Sequence, residues 1–125
     1  MGKAKPPLTP LELEIMKVLW KTGPANVQTV QQTLDRPLAY TTVQTVLNVL
    51  HRKGHVKRSL KQKAYFYRPS SLREDVVQRT VSDVVDKLFA GSAGSLVMTL
   101  VESKQLSTEE LARLRAMLDE AGDDE

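Results

Sequence analysis

The sequence predicts a mainly α-helical fold with one small β-hairpin. Three observations lead there. Apolar residues recur at helical spacing in six stretches, most of them opened or closed by a recognisable cap. The helical period breaks after Gly54, where two short strand-like runs lie within residues 55–68, the second rich in aromatics. The charge divides close to the end of that segment: residues 1–70 carry twelve basic and three acidic side chains, net +9, whereas residues 71–125 carry six basic and twelve acidic ones, net −6. The formal charge of +3 for the 125-residue chain conceals this split. One half suits a polyanion and the other does not.

The elements follow in order. Residues 1–8 are short, basic and Pro-containing and are expected to be a mobile arm. Thr9 is an N-cap, Pro10 occupies the first helical position, and Glu12 completes a capping box, with Leu8 and Leu13 as the staple around it. This first helix presents Leu13, Met16, Leu19 and Trp20 and stops at Gly23-Pro24. Asn26 caps a shorter helix with Val27, Val30 and Leu34 inward, closed by Asp35-Arg36-Pro37. A third helix follows Leu38-Ala39-Tyr40, with Val43, Val46, Leu47 and Leu50 as its apolar stripe and Gly54 as its end. His55–Ser59 and Ala64–Arg68 read as strands joined by Leu60-Lys61-Gln62-Lys63, a hairpin with a basic tip. Pro69-Ser70-Ser71 marks a boundary. Beyond it, Leu72–Phe89 is a long helix, Gly91 and Gly94 bracket a turn, Ser95–Ser103 is a short apolar helix, and Ser107 with Glu110 opens the last helix.

Three helices and a hairpin in that order describe a winged helix-turn-helix over residues 9–70, followed by a helical region over 71–125. In such a fold the third helix enters the DNA major groove and the hairpin reaches the flanking backbone. Thr41, Thr42, Gln44, Thr45 and Asn48 lie largely off the apolar stripe and are short hydrogen-bonding side chains of the kind that touch base edges. Arg52, Lys53, Lys57, Arg58, Lys61 and Lys63 are the candidate phosphate or wing contacts, and Tyr40 could reach a phosphate through its hydroxyl or pack at the helix entry. The competing reading makes the Thr-rich segment a helix cap and the basic patch a solvated face.

The helical region has more apolar positions than its own length can cover: Leu72, Val76, Val77, Val81, Val84, Val85, Leu88, Leu96, Leu100, Leu111, Leu114 and Leu118. A bundle this small buries little alone. The expectation is a homodimer packed across a two-fold axis through these residues, which suits a reader whose single wing covers one half-site. The alternative is a monomer whose acidic helices fold back on the basic half.

Other functions are disfavoured. There are no cysteines, which removes disulfides, thiolate zinc sites and cysteine nucleophiles. No Ser-His-Asp arrangement, glycine-rich phosphate loop or inward carboxylate pair is visible, so no enzyme and no cofactor are expected. His51 and His55 are four apart, but Gly54 falls between them and no third ligand is near; they are expected to be solvated or phosphate-facing, with no metal. No apolar run is long enough to span a membrane, and none follows the basic N-terminus, so a cytoplasmic protein is expected.

Several segments resemble the penicillinase-repressor family of BlaI/MecI/CopY type: Leu11–Trp20 (LELEIMKVLW), Thr41–Leu47 (TTVQTVL), Arg52-Lys53-Gly54, Ala64–Tyr67 (AYFY) and Leu106–Leu111 (LSTEEL). Together they cover nearly the whole chain in the family's order. The resemblance implies a homodimeric winged-helix repressor of an antibiotic-resistance or stress operon, bound to a palindrome with TACA/TGTA-like half-sites. Thr41, Thr42, Gln44 and Thr45 would then read bases. Three departures stand out. Copper-responsive members carry a C-terminal cysteine cluster, which this chain lacks. Antibiotic-sensing members are inactivated by a membrane metalloprotease that cuts an Asn-Phe bond in the short dimerisation helix; Thr99-Leu100 stands there instead, which leaves the inducing signal open. Val49 and the tip Gln62-Lys63 replace the family's frequent Arg and Gly-Arg. A ligand-gated winged-helix regulator, with a small molecule near Gly91–Gly94, and a winged-helix protein-interaction module are the remaining alternatives.

Overall fold

A computed structural model describes residues 5–123. Its elements are α1 (Pro10–Thr22), α2 (Val27–Thr33), α3 (Tyr40–Lys53), β1 (Val56–Lys61), β2 (Ala64–Pro69), α4 (Arg73–Leu88), α5 (Ala93–Glu102) and α6 (Thr108–Asp123). The fold is mainly α with a two-stranded antiparallel hairpin. It divides into two compact units that meet after Val77, within α4.

In the first unit, the caps set the helix boundaries. Thr9 Oγ1 accepts from the Glu12 N–H at 3.2 Å, and Glu12 Oε1 accepts from the Thr9 N–H at 2.9 Å. Asn26 Oδ1 accepts from the Thr29 N–H and starts α2. Ala39 caps α3 without any side-chain hydrogen bond, so Thr41 and Thr42 lie inside the helix and are not spent on its cap. Gly54 ends α3 at φ 86°, a left-handed conformation that costs glycine little.

The core gathers Ile15, Met16 and Leu19 of α1, Val30 of α2, Val43, Leu47 and Leu50 of α3, and Val56 and Tyr67 of the hairpin. The face of α1 is rotated from the one the 3-4 spacing picked out. Ile15 and Val18 are buried, whereas Leu13 and Trp20 are only partly covered. Trp20 is held by its indole N–H, which donates to the Ser71 carbonyl at 2.8 Å. Tyr67 joins the hairpin to the helices by exchanging two backbone hydrogen bonds with Ala25, at 2.8 and 3.0 Å.

The hairpin turn is tighter than expected. The strands run on to Lys61 and start again at Ala64, so the loop is two residues, not four. Gln62 and Lys63 both take positive φ, 49° and 69°, the backbone of a turn whose twist matches the strands. Such turns usually show Asn-Gly, and neither residue is present here.

Of the arm, residues 1–4 lie outside the described residues, while residues 5–7 are anchored. Lys5 Nζ donates to Ser71 Oγ at 3.0 Å, and the Pro6 carbonyl lies 2.6 Å from His55 Nε2. A carbonyl only accepts, so Nε2 is the protonated nitrogen of that ring. His55 Nδ1 faces Ser71 Oγ at 2.9 Å. His55 is therefore a buried tie between the arm and the Ser70-Ser71 segment, not the solvated or phosphate-facing side chain expected.

In the second unit, Ser92 caps α5, which begins two residues before the expected Ser95 and takes in Gly94. Ser107 and Glu110 form the expected capping box before α6, with bonds of 2.9 and 3.0 Å; the first, from the Ser107 N–H to the Glu110 carboxylate, holds that carboxyl below its ordinary pKa. Among the described side chains of this unit only Val85 is buried. Val81, Leu88, Val97, Met98, Leu111, Met117 and Leu118 are exposed, Leu88 to 76%. Leu72 and Val77, just before the unit boundary, are exposed as well. No single helix among the described residues is long and apolar enough to cross a membrane.

Candidate nucleic-acid interface

Burying Val43, Leu47 and Leu50 leaves the opposite face of α3 in solvent. Thr41, Gln44, Thr45, Asn48 and Arg52 fall on that exposed face, and Thr42 is partly covered. Their spacing places them along one helical stripe of about 16 Å, at 1.5 Å per residue. Tyr40, the first residue of the helix, is 47% exposed. His51, Arg52 and Lys53 occupy the last turn, where the helix dipole favours cations.

The wing flanks this stripe with two concavities. One of about 420 Å³ is lined by Thr45, Asn48, His51, Arg52 and Arg58. The other, about 280 Å³, is lined by Asn26, Val27, Gln28, Tyr40, Gln44, Lys63, Ala64, Tyr65 and Tyr67. Between them stands the wing's inner face. Arg58 Nη1 donates to Asn48 Oδ1 at 3.2 Å, the Tyr67 hydroxyl donates to the same oxygen at 3.2 Å, and the Arg58 guanidinium lies 4.3 Å above the Tyr65 ring.

The expected cations separate into three groups. Arg52, Arg58 and Lys63 border the concavities beside α3. Lys57 and Lys61 alternate with Arg58 along β1 and so point to the other face of the hairpin, where Lys57 sits opposite Arg68. Lys53 must be reassigned from the phosphate contacts. Its ammonium reaches Glu12 Oε1 and Oε2 at 2.7 and 2.9 Å and the Pro7 carbonyl at 3.3 Å. It is an internal tie between α3 and α1. Burial would raise the Glu12 carboxyl, but Lys53 and the Thr9 N–H outweigh it and hold the group below its ordinary pKa of 4.5.

Gln28 lines one concavity and Arg68 pairs across the wing with Lys57; neither is among the candidates expected from the sequence. Gln28 had a signal, since it lies in α2, the helix before the recognition helix, which in such a motif crosses the backbone. Arg68 had one only through strand register, which places two cations opposite each other and disfavours the pair unless an anion is near.

The model of the penicillinase repressor family matches residues 8–120. The chain belongs to this family. Among its relatives, the penicillinase repressor of Bacillus licheniformis is 29% identical over 120 residues, 94% of each chain. The transcriptional regulator BlaI of Mycobacterium tuberculosis is 34% identical over 114 residues, 88% of this chain and 81% of its own. Part of the chain also resembles the solution structure of monomeric B. licheniformis BlaI in complex with the blaP half-operator. That likeness has a TM-score of 0.50 and 30% identity, over 59% of this chain and 93% of that one. This family member is a DNA-binding repressor, and its winged helix-turn-helix carries the candidate interface.

Proposed function

We propose that the chain is a homodimeric cytoplasmic repressor that binds a palindromic operator with TACA/TGTA-like half-sites and silences an antibiotic-resistance (β-lactamase-type) or stress operon. The observation that carries this reading is the exposed stripe of α3 with basic wing residues on either side, in a chain whose family match spans both units. Thr41, Thr42, Gln44 and Thr45 read base edges. Arg52, Lys57, Lys61 and Lys63 meet phosphates, and the Tyr40 hydroxyl supplies a further phosphate donor. The relative bound to the blaP half-operator supports a half-site for each winged unit.

The dimer reading rests on the second unit. With one buried side chain among those described, it has no core of its own to hold its helices together. A second copy presenting the same apolar face meets that need. The domain assignment, reader over 9–70 and dimeriser over 71–125, belongs to this proposal; the inducing signal is left open, because α5 holds Thr99-Leu100 where the family's membrane-sensor protease cuts an Asn-Phe bond.

The test is a titration of a fluorescent palindromic duplex at several salt concentrations. Two chains per duplex are expected. If four cations meet phosphates in each half-site, the slope of log affinity against log salt is about −7. One chain per palindrome, or a slope near zero, overturns the proposal.

A further inference from the structure

We infer that Asn48 is a positioning residue rather than an adenine reader, and that it clamps Arg58 of the wing as a fixed guanidinium fork at the edge of the reading stripe. The inference rests on the DNA-binding reading above and deepens it.

The orientation of the Asn48 amide is decided by its partner. Arginine only donates, so the atom 3.2 Å from Arg58 Nη1 must be the oxygen. The Tyr67 hydroxyl donates to that oxygen too. Both lone pairs are then used. Bidentate pairing with adenine needs the amide oxygen and nitrogen together, one accepting from N6 and the other donating to N7. With its oxygen occupied, Asn48 keeps only Nδ2 as a donor, and a lone donor does not single out adenine.

Arg58 is held from two sides. Asn48 takes one N–H, and the Tyr65 ring lies under the guanidinium plane at 4.3 Å. Tyr67 is itself fixed by its backbone bonds to Ala25, so the clamp stands on the body of the domain. Five N–H groups minus one leave a fork for an acceptor pair. Two sources present such a pair here: guanine O6 and N7 in the groove, or two oxygens of one phosphate.

A double-mutant cycle on the operator duplex tests the clamp. Asn48→Ala and Arg58→Ala are each expected to weaken binding about tenfold, and the double variant no more than Arg58→Ala alone. Arg58→Lys, which keeps the charge and loses the fork, should fall near Arg58→Ala. Replacing operator guanines by 7-deazaguanine lowers wild-type affinity if the fork is on a base. A uniform loss across sequences in Arg58→Ala, with a salt slope shallower by about 2 because one contact is lost in each half-site, places it on a phosphate. Both results uphold the clamp. Effects that multiply to about a hundredfold, or an Asn48→Ala variant that alone loses preference at an adenine, overturn it. A DNA-free measurement separates this from failure of the DNA reading. In NMR of the free protein, Arg58 guanidinium rotation should be slow in the wild type and fast in Asn48→Ala; equal rates overturn the clamp whether or not the protein binds DNA.

Discussion

Single side chains in this protein carry more than one tie. Glu12 caps α1 through Thr9 and neutralises Lys53 from α3. Both partners are largely covered, with side-chain exposures of 7% and 23%. Removing the carboxylate strands an ammonium in that setting, so Glu12→Gln should cost about 2 kcal/mol at neutral pH. The sign of the pH dependence follows from the lowered pKa. The contribution is present above 4.5 and is lost as pH falls through the lower folded value. Thermal unfolding of wild type and Glu12→Gln should therefore differ at pH 7 and converge at acidic pH; a constant difference contradicts the pairing. On the reading stripe, Thr45→Ala is expected to relax base preference by about 1–3 kcal/mol at one operator position without changing the salt slope. Competition between matched and mismatched duplexes checks it.

At the scale of elements, the hairpin shows what a sequence reveals and what it hides. The aromatic-rich run Ala64–Arg68 located the wing, and Gly54 located the end of α3. The turn was hidden because Gln62-Lys63 lacks the Asn-Gly signal that normally marks positive φ. The same hairpin makes a trade-off testable. Left-handed backbone costs a non-glycine residue about 1–2 kcal/mol, and glycine's extra freedom when unfolded offsets part of the relief. Lys63→Gly should thus raise stability by about 0.5 kcal/mol while weakening DNA binding at low salt. If stability rises and binding is unchanged, Lys63 is not a contact. Register was equally hidden. Four wing cations look alike in sequence, yet alternation sends Arg58 to α3 and Lys57 and Lys61 to the opposite face. The Lys53–Glu12 pair and the His55–Ser71 tie escaped notice because they join residues distant in the chain. Periodicity reports a face, not what packs on it.

For the whole molecule, the charge split near residue 70 falls a few residues before the boundary at Val77 between a unit with a full core and a unit with almost none. Helix positions in the second unit were legible to within one or two residues, because its caps and apolar spacing are local signals. What covers the apolar faces lies between chains. Burying a leucine contributes about 1.5–3 kcal/mol. Leu88→Asp, present twice in a two-fold interface, should shift the chain to a monomer in sedimentation and weaken palindrome binding more than half-site binding. An unchanged dimer mass contradicts the proposed interface.

The central claim is that α3 and its wing read a specific operator. Equilibrium binding to a TACA/TGTA palindrome and to a scrambled duplex of equal length and composition, at moderate salt, tests it most directly. The account predicts a preference of about 10³-fold or more for the palindrome, widening as salt weakens the non-specific complex. Equal affinity for the two duplexes would contradict it.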